Sequence, residues 1–170
     1  MESKMFIKTL IATLALFSTY TIAESVPING TVESKCVIQT DQPGRFGNPN
    51  AYTLTTAQSD GGLGAKSRVD VTLANSYFVT FTTPTEFSSS PAIPDAVTWT
   101  GSTEVAAVSD ASGMGSYETS KIVTGNDTRY EMTAAGSTWF KTEVSAELGG
   151  NKAFPGGSYT ALVEITCIAK

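Results

Sequence analysis

Two runs of strict alternation, one toward each end of the chain, carry the only two cysteines of the sequence. From Val26 to Ile38 the even positions read Val26, Ile28, Gly30, Val32, Ser34, Cys36 and Ile38, while Ser25, Pro27, Asn29, Thr31, Glu33 and Lys35 between them are polar or proline. From Tyr159 the odd positions read Tyr159, Ala161, Val163, Ile165 and Cys167, set against Ser158, Thr160, Glu164 and Thr166. A period of two marks a strand with one buried face. Each cysteine falls on the apolar side of its run, so both thiols are expected to point into a core.

What those thiols can do depends on where the chain resides. Lys4 and Lys8 give a positive amino end, Leu10, Ile11, Leu14, Ala15, Leu16 and Phe17 follow, and Thr21-Ile22-Ala23 fits the small-x-small cleavage rule of exported proteins. Residues 1–23 are therefore expected to be a signal peptide and 24–170 the mature, secreted domain. A membrane anchor would need ~20 apolar residues in a row, and Lys8, Thr9, Thr13, Ser18 and Thr19 interrupt this run. No later segment is apolar enough to suggest a span. In an oxidising compartment two thiols allow one intramolecular pairing, and a Cys36–Cys167 disulfide would close nearly the whole domain into one loop. Buried free thiols or an intermolecular bond are the alternatives. A structural zinc is disfavoured, because the chain has no histidine to complete a set of four ligands.

The interior repeats the same grammar. Val69, Val71 and Leu73 alternate with polar residues, Asn75-Ser76 supplies turn chemistry, and Tyr77, Val79 and Phe81 alternate again, which reads as a hairpin or a bulged strand pair. Val97 with Trp99, Glu104 to Val108 and Arg129 to Ala134 read as further short strands, and Thr103 to Val108 could instead seed a short helix. In the longest run Phe140, Thr142, Val144, Ala146 and Leu148 oppose a face containing Lys141, Glu143 and Glu147. Clusters of Gly, Ser, Pro, Asn and Asp separate these runs too often for a long helix. Many short strands with regular turn signals predict a single all-β domain, a sandwich or a barrel, with long connections at Gln39 to Arg68 and Ser109 to Lys121.

Composition narrows function mainly by exclusion. The leader takes Lys4, Lys8 and Glu2, which leaves nine basic residues against fifteen acidic ones. An acidic chain without a basic patch is a poor partner for nucleic acid. The absence of histidine excludes a Ser-His-Asp or Cys-His arrangement, and no cofactor motif is present, so no enzyme activity is expected. Asp60, Asp95, Asp110 and Asp127 in predicted loops could supply a carboxylate pair for hydrolysis, but turn formation explains them more simply. Neither Asp41 to Asn50 nor Gly125 to Thr128 follows the calcium-loop pattern. Trp139, placed on the polar face of its strand, and Tyr117, with Tyr52 and Phe78, are candidates for an exposed platform that stacks on sugar rings. Single exposed aromatics are also ordinary.

The leader, the pattern Gly30-x-Val32-x-x-x-Cys36, and the terminal strand introduced by Pro155-Gly156-Gly157-Ser158-Tyr159 together resemble secreted subunits of bacterial chaperone–usher fimbriae and their spore-coat-U-like relatives. Gly157 stands where such subunits carry a glycine fourteen residues from the carboxyl end. Ala169 stands where the common type has a penultimate aromatic, and the second cysteine lies in the last strand rather than near Ala74. The resemblance implies an immunoglobulin-like β-sandwich of about seven strands with a single disulfide. It also implies passage through the periplasm to the cell surface, and assembly by strand donation to neighbouring subunits with the help of a periplasmic chaperone and an usher. Val26, Ile28, Gly30 and Val32 have the spacing of a donor strand, though the same residues would suit an ordinary first strand. The alternative reading is a soluble extracellular module that binds a host or matrix glycan through Trp139 and Tyr117.

Overall fold

The computed structural model describes residues 28–29, 35–72, 76–150 and 152–170. The chain divides into a unit of residues 1–31 and a compact unit of residues 32–170. Of the first, Ile28 and Asn29 are described; they belong to no strand, and Ile28 is exposed. The expected signal peptide and Val26, Gly30 and Val32 lie outside the described residues.

The second unit is built from ten strands and little helix among its described residues. One antiparallel sheet contains β1 (Lys35–Gln42), β2 (Gly47–Asn50), β3 (Thr53–Thr55), β4 (Ala65–Thr72), β6 (Val97–Val108) and β9 (Gly136–Leu148). The long β9 organises it: β6 runs along one side of β9, while β4 pairs with its first half and β3 with its second. Beyond these, β1 pairs with β4 and β2 with β3. The other sheet has the order β10-β5-β8-β7, from β10 (Glu164–Ala169), β5 (Tyr77–Thr82), β8 (Asp127–Met132) and β7 (Ile122–Thr124). Among the described residues no helix is long and apolar enough to cross a membrane.

The core follows from the alternation. Val69 and Val71 of β4 and Phe140 of β9 meet Tyr77, Val79 and Phe81 of β5 and Tyr130 and Met132 of β8 in one buried cluster. Phe81 and Tyr130 approach Phe140 from the opposite sheet, with ring centroids 4.6 and 4.8 Å away. Each such ring contributes roughly 1.5–3 kcal/mol by burial, and a ring pair adds about 0.5–1.5 kcal/mol. The predicted inner face of the longest run is buried throughout, from Phe140 to Leu148.

Partnership departs from expectation in three places. The runs read as a hairpin, β4 and β5, belong to different sheets, because alternation reports which face is buried and says nothing about the neighbour. Val97 to Val108 is one strand rather than two, with a register shift between Val105 and Ala107. The connection 109–121 folds into two four-residue helices, α1 (Ala111–Met114) and α2 (Tyr117–Ser120). Asp110 starts α1 by accepting from the Ser112 N–H at 2.9 Å. Hydrogen bonds from Ser112 hold its carboxyl below the usual carboxylate range, as a helix N-cap should.

These helices cover the edge between β6 and β8. Met114 and Tyr117 are buried, and the Tyr117 hydroxyl accepts from the N–H groups of Thr133 and Ala134 at 3.0 and 2.9 Å. The Glu118 carboxylate accepts from the Val105 N–H at 2.8 Å and pairs with Lys121, whose ammonium donates to the Thr103 carbonyl at 3.1 Å. Burial pushes the Glu118 carboxyl up, but the hydrogen bonds from Lys121 and Val105, with the Lys121 charge, outweigh it and hold the group below its ordinary range. Tyr130 donates to the same Thr103 carbonyl at 2.8 Å. Burial, followed by the negative charge of Glu118, raises the Tyr130 phenol well above its ordinary value.

Candidate functional site

The opposite edge, where β1 and β10 meet, is closed only in part. Cys36 of β1 and Cys167 of β10 are joined by a disulfide with a Cα–Cα separation of 6.4 Å. The bridge is half-buried rather than enclosed. Away from it a groove of about 680 Å3 opens, lined on one side by Thr40 and the turn through Phe46, and on the other by the chain from Gly157 to Ile165. Leu54 and Val144 form part of its floor.

The terminal strand leaves this edge open. Tyr159, Ala161, Val163, Ile165 and Cys167, the apolar row read from the sequence, are all only half-buried, whereas Val79 and Phe81 on the neighbouring β5 are fully covered. In the other sheet, Cys36 and Ile38 of β1 are likewise half-buried. The row therefore lacks a cover on the groove side. Backbone groups point the same way. Thr160 exchanges hydrogen bonds with Ser89 at 2.8 and 3.2 Å, and the Lys170 N–H donates to Ser76 at 2.9 Å. Successive residues of an extended strand turn their N–H and C=O groups to opposite edges; Lys170 bonds Ser76 on the β5 side, so Ile165 in β10 directs its groups away from β5, while residues 161–163 lead into β10 along the groove wall without belonging to a strand. Among the described residues β10 pairs with β5 alone and β1 with β4 alone, so both walls present a sheet edge.

Gly157 sits at the mouth of this wall. Its backbone has φ +154°, and a Cβ there would lie 2.5 Å from Cγ of Pro91. Beside it Phe87 gathers Phe46, Trp99, Phe154 and Tyr159 into a half-buried cluster with centroids 4.7–6.1 Å from its own ring. Phe46 and Tyr159 belong to both the cluster and the groove lining. The rim carries Arg45 and Lys66, and among the described residues no acidic side chain lines the groove. Chemically, the site is an apolar slot with a free strand edge and a basic rim. It suits an extended peptide whose alternate side chains are apolar.

The other residues singled out in the sequence are dispersed. Trp139 lies half-buried on the outer face of the first sheet, in register with Arg68 and Ala107. Tyr117 is 2% exposed and cannot belong to an exposed sugar platform, because α1 and α2 turn it into the core. Asp110 caps α1, Asp95 pairs with Lys152, and Asp127 accepts from the Thr82 hydroxyl at 2.7 Å. Among the described residues no three His, Cys, Asp or Glu side chains are grouped as metal ligands. The groove walls had little signal in the sequence. Phe46 and the adjacent pair Ala65-Lys66 lie in separate segments, and only the odd row from Tyr159 announced one side.

Compared with family models, with curated proteins and with solved structures, the chain matches none.

Proposed function

We propose that this protein is a secreted structural or adhesive subunit of a bacterial surface fimbria, assembled by β-strand donation. In this reading the domain is an immunoglobulin-like sandwich one strand short, and the open edge between β1 and β10 is where a neighbour's strand completes it. The supporting observation is the groove, with its uncovered row Tyr159, Ala161, Val163 and Ile165 and a free strand edge beside it. The occupant is the segment Val26–Val32 of a second copy. It spans seven positions, as does Tyr159–Ile165, and both runs extend roughly 20 Å at strand rise. Val26, Ile28, Gly30 and Val32 offer alternate side chains to the slot, and Glu24 and Glu33 flank them with charge opposite to that of Arg45 and Lys66. A periplasmic chaperone would fill the groove before assembly, and an usher would exchange it for the next subunit.

The test is a pair of single substitutions in the full chain. Ile28→Asp places a charge in an apolar slot, at a cost of about 2–7 kcal/mol or a forced protonation, and should abolish assembly. Thr31→Asp, on the opposite face of the segment, should leave assembly intact. Gel filtration and electron microscopy with the presumed chaperone read the outcome, and monomers under every condition would refute the reading. A soluble glycan-binding module would instead stay monomeric and lose ligand on Trp139→Ala. That alternative is weakened by the burial of Tyr117, which removes one of its two platform residues.

A further inference from the structure

We propose that the Cys36–Cys167 disulfide is the stop of this groove, fixing how far an incoming strand can run along β10 and hence which of its side chains meets which gap. The inference rests on the strand-donation reading above and concerns the register of that strand.

Width sets the stop. Neighbouring strands lie ~4.8 Å apart, so a third strand between two others needs them roughly 9.6 Å apart. At the bridge the Cα atoms of β1 and β10 are 6.4 Å apart, which leaves no room. The edge then opens away from the bridge. The register of β1 against β4 shifts between Thr40 and Gln42, and a bulge of that kind bends its strand. The groove lining begins at Thr40 on β1 and at Ile165 on the terminal strand, two positions short of Cys167. The slot is therefore blind at the disulfide.

A blind end matters because the donor segment is otherwise degenerate. A slip of one residue would turn Val26, Ile28 and Val32 away from the slot and is excluded by the pattern itself. A slip of two residues keeps the same face inward but moves Val26, Ile28, Gly30 and Val32 each by one gap and brings Glu24 or Ser34 into the vacated one. Burying the Glu24 charge disfavours one slip, but in the direction that brings in only Ser34 side-chain polarity discriminates little, and there a wall decides. The disulfide excludes every register in which the donor strand passes Ile165, so oxidation fixes the geometry that the neighbour reads.

The experiment uses the oxidised full-length chain carrying Ile28→Asp, which cannot donate, and a synthetic peptide of residues 24–34. Residue-resolved amide exchange should slow at Ala161, Val163 and Ile165 on peptide addition and stay unchanged at Cys167. Peptides lengthened by two alternating residues at one end or the other should behave asymmetrically. The extension directed at the bridge should change Kd less than twofold, and the opposite extension should lower it several-fold. In the further variant Cys36→Ala/Cys167→Ala, protection should extend beyond Ile165. If that variant does not fold, the extension series on the bridged chain decides alone. Protection running through Cys167 in the bridged chain, or equal gains from both extensions, would overturn the stop while leaving strand donation in place. No protection with any peptide would overturn strand donation and the stop with it.

Discussion

Replacing both cysteines, as Cys36→Ala/Cys167→Ala, should cost this domain a large share of its stability. The bridge joins residues 131 apart in the chain. Loop-closure entropy for a ring of that size is about 5 kcal/mol at 25 °C, an upper figure before any native-state adjustment. Little in the sheets makes up the difference. β1 pairs with β4 and β10 with β5, in separate sheets, so no ladder joins the two strands that the bridge connects. We therefore expect a loss of about 3–5 kcal/mol, against a typical total of roughly 5–15 kcal/mol for a folded domain. The assay is urea unfolding at pH 7 without reductant. At a slope of about 2 kcal/mol/M, such a loss moves the midpoint down by roughly 1.5–2.5 M. The slope itself should rise, since an unbridged unfolded chain exposes more surface. A midpoint shift below about 0.5 M with an unchanged slope would refute the reasoning, because it would mean that the unfolded chain gains nothing from being cut loose.

Tyr117→Phe removes the acceptor shared by the Thr133 and Ala134 amides and should cost about 1–3 kcal/mol; a loss within measurement error in chemical denaturation would show that its hydroxyl does not pin α2 to β8. The folded Glu118 carboxyl lies below its ordinary range, so its stabilisation is complete above roughly pH 4.3, the ordinary Glu value, and is lost as pH falls through the lower folded value. Melting temperature against pH should accordingly fall less steeply in acid for Glu118→Gln than for the parent, and superimposable acid limbs would contradict this. Gly157→Ala pushes a Cβ to 2.5 Å from Pro91 and should cost about 1–3 kcal/mol as overpacking, read as a lowered melting temperature; an unchanged value would mean that Pro91 yields freely.

Much of the core is legible in the sequence, and much of the assembly of strands is not. Alternation identifies Val69 and Val71, Val79 and Phe81, and the row from Phe140 to Leu148 as inward, and every one of these is buried. It cannot say that β4 and β5 part into different sheets, since a strand shows the same period whichever neighbour it takes. The two cysteines on apolar faces pointed to the bridge that forms. Tyr117 misled because its surroundings, Ser109 to Ser116, have the composition of a surface loop. Asp110 caps a turn of helix there, and two short helices carry the ring inward. The aromatic cluster around Phe87 was not legible as a unit, because Phe46, Phe87 and Phe154 come from turn-rich segments and Trp99 and Tyr159 sit in two separate alternating runs.

The two edges at which the sheets meet are treated differently, and the difference bears on energetics. On the β6 side, Met114 and Tyr117 fill the space and the backbone groups of Thr103, Val105, Thr133 and Ala134 find side-chain partners on α2 and β8 or at Lys121. On the β1 side the chain supplies a disulfide at one end and leaves Tyr159, Ala161, Val163 and Ile165 half-covered. Full burial of a Val or Ile side chain contributes about 1.5–3 kcal/mol, so the lone domain forgoes part of that at Val163 and Ile165. A strand seated in the groove would recover it. On the strand-donation proposal, the residues that leave the lone domain less stable would be those that drive association. Truncating Val163 to Ala should therefore weaken a strand-filled assembly more than it weakens the isolated domain, the reverse of what a purely internal core position such as Val79 would do.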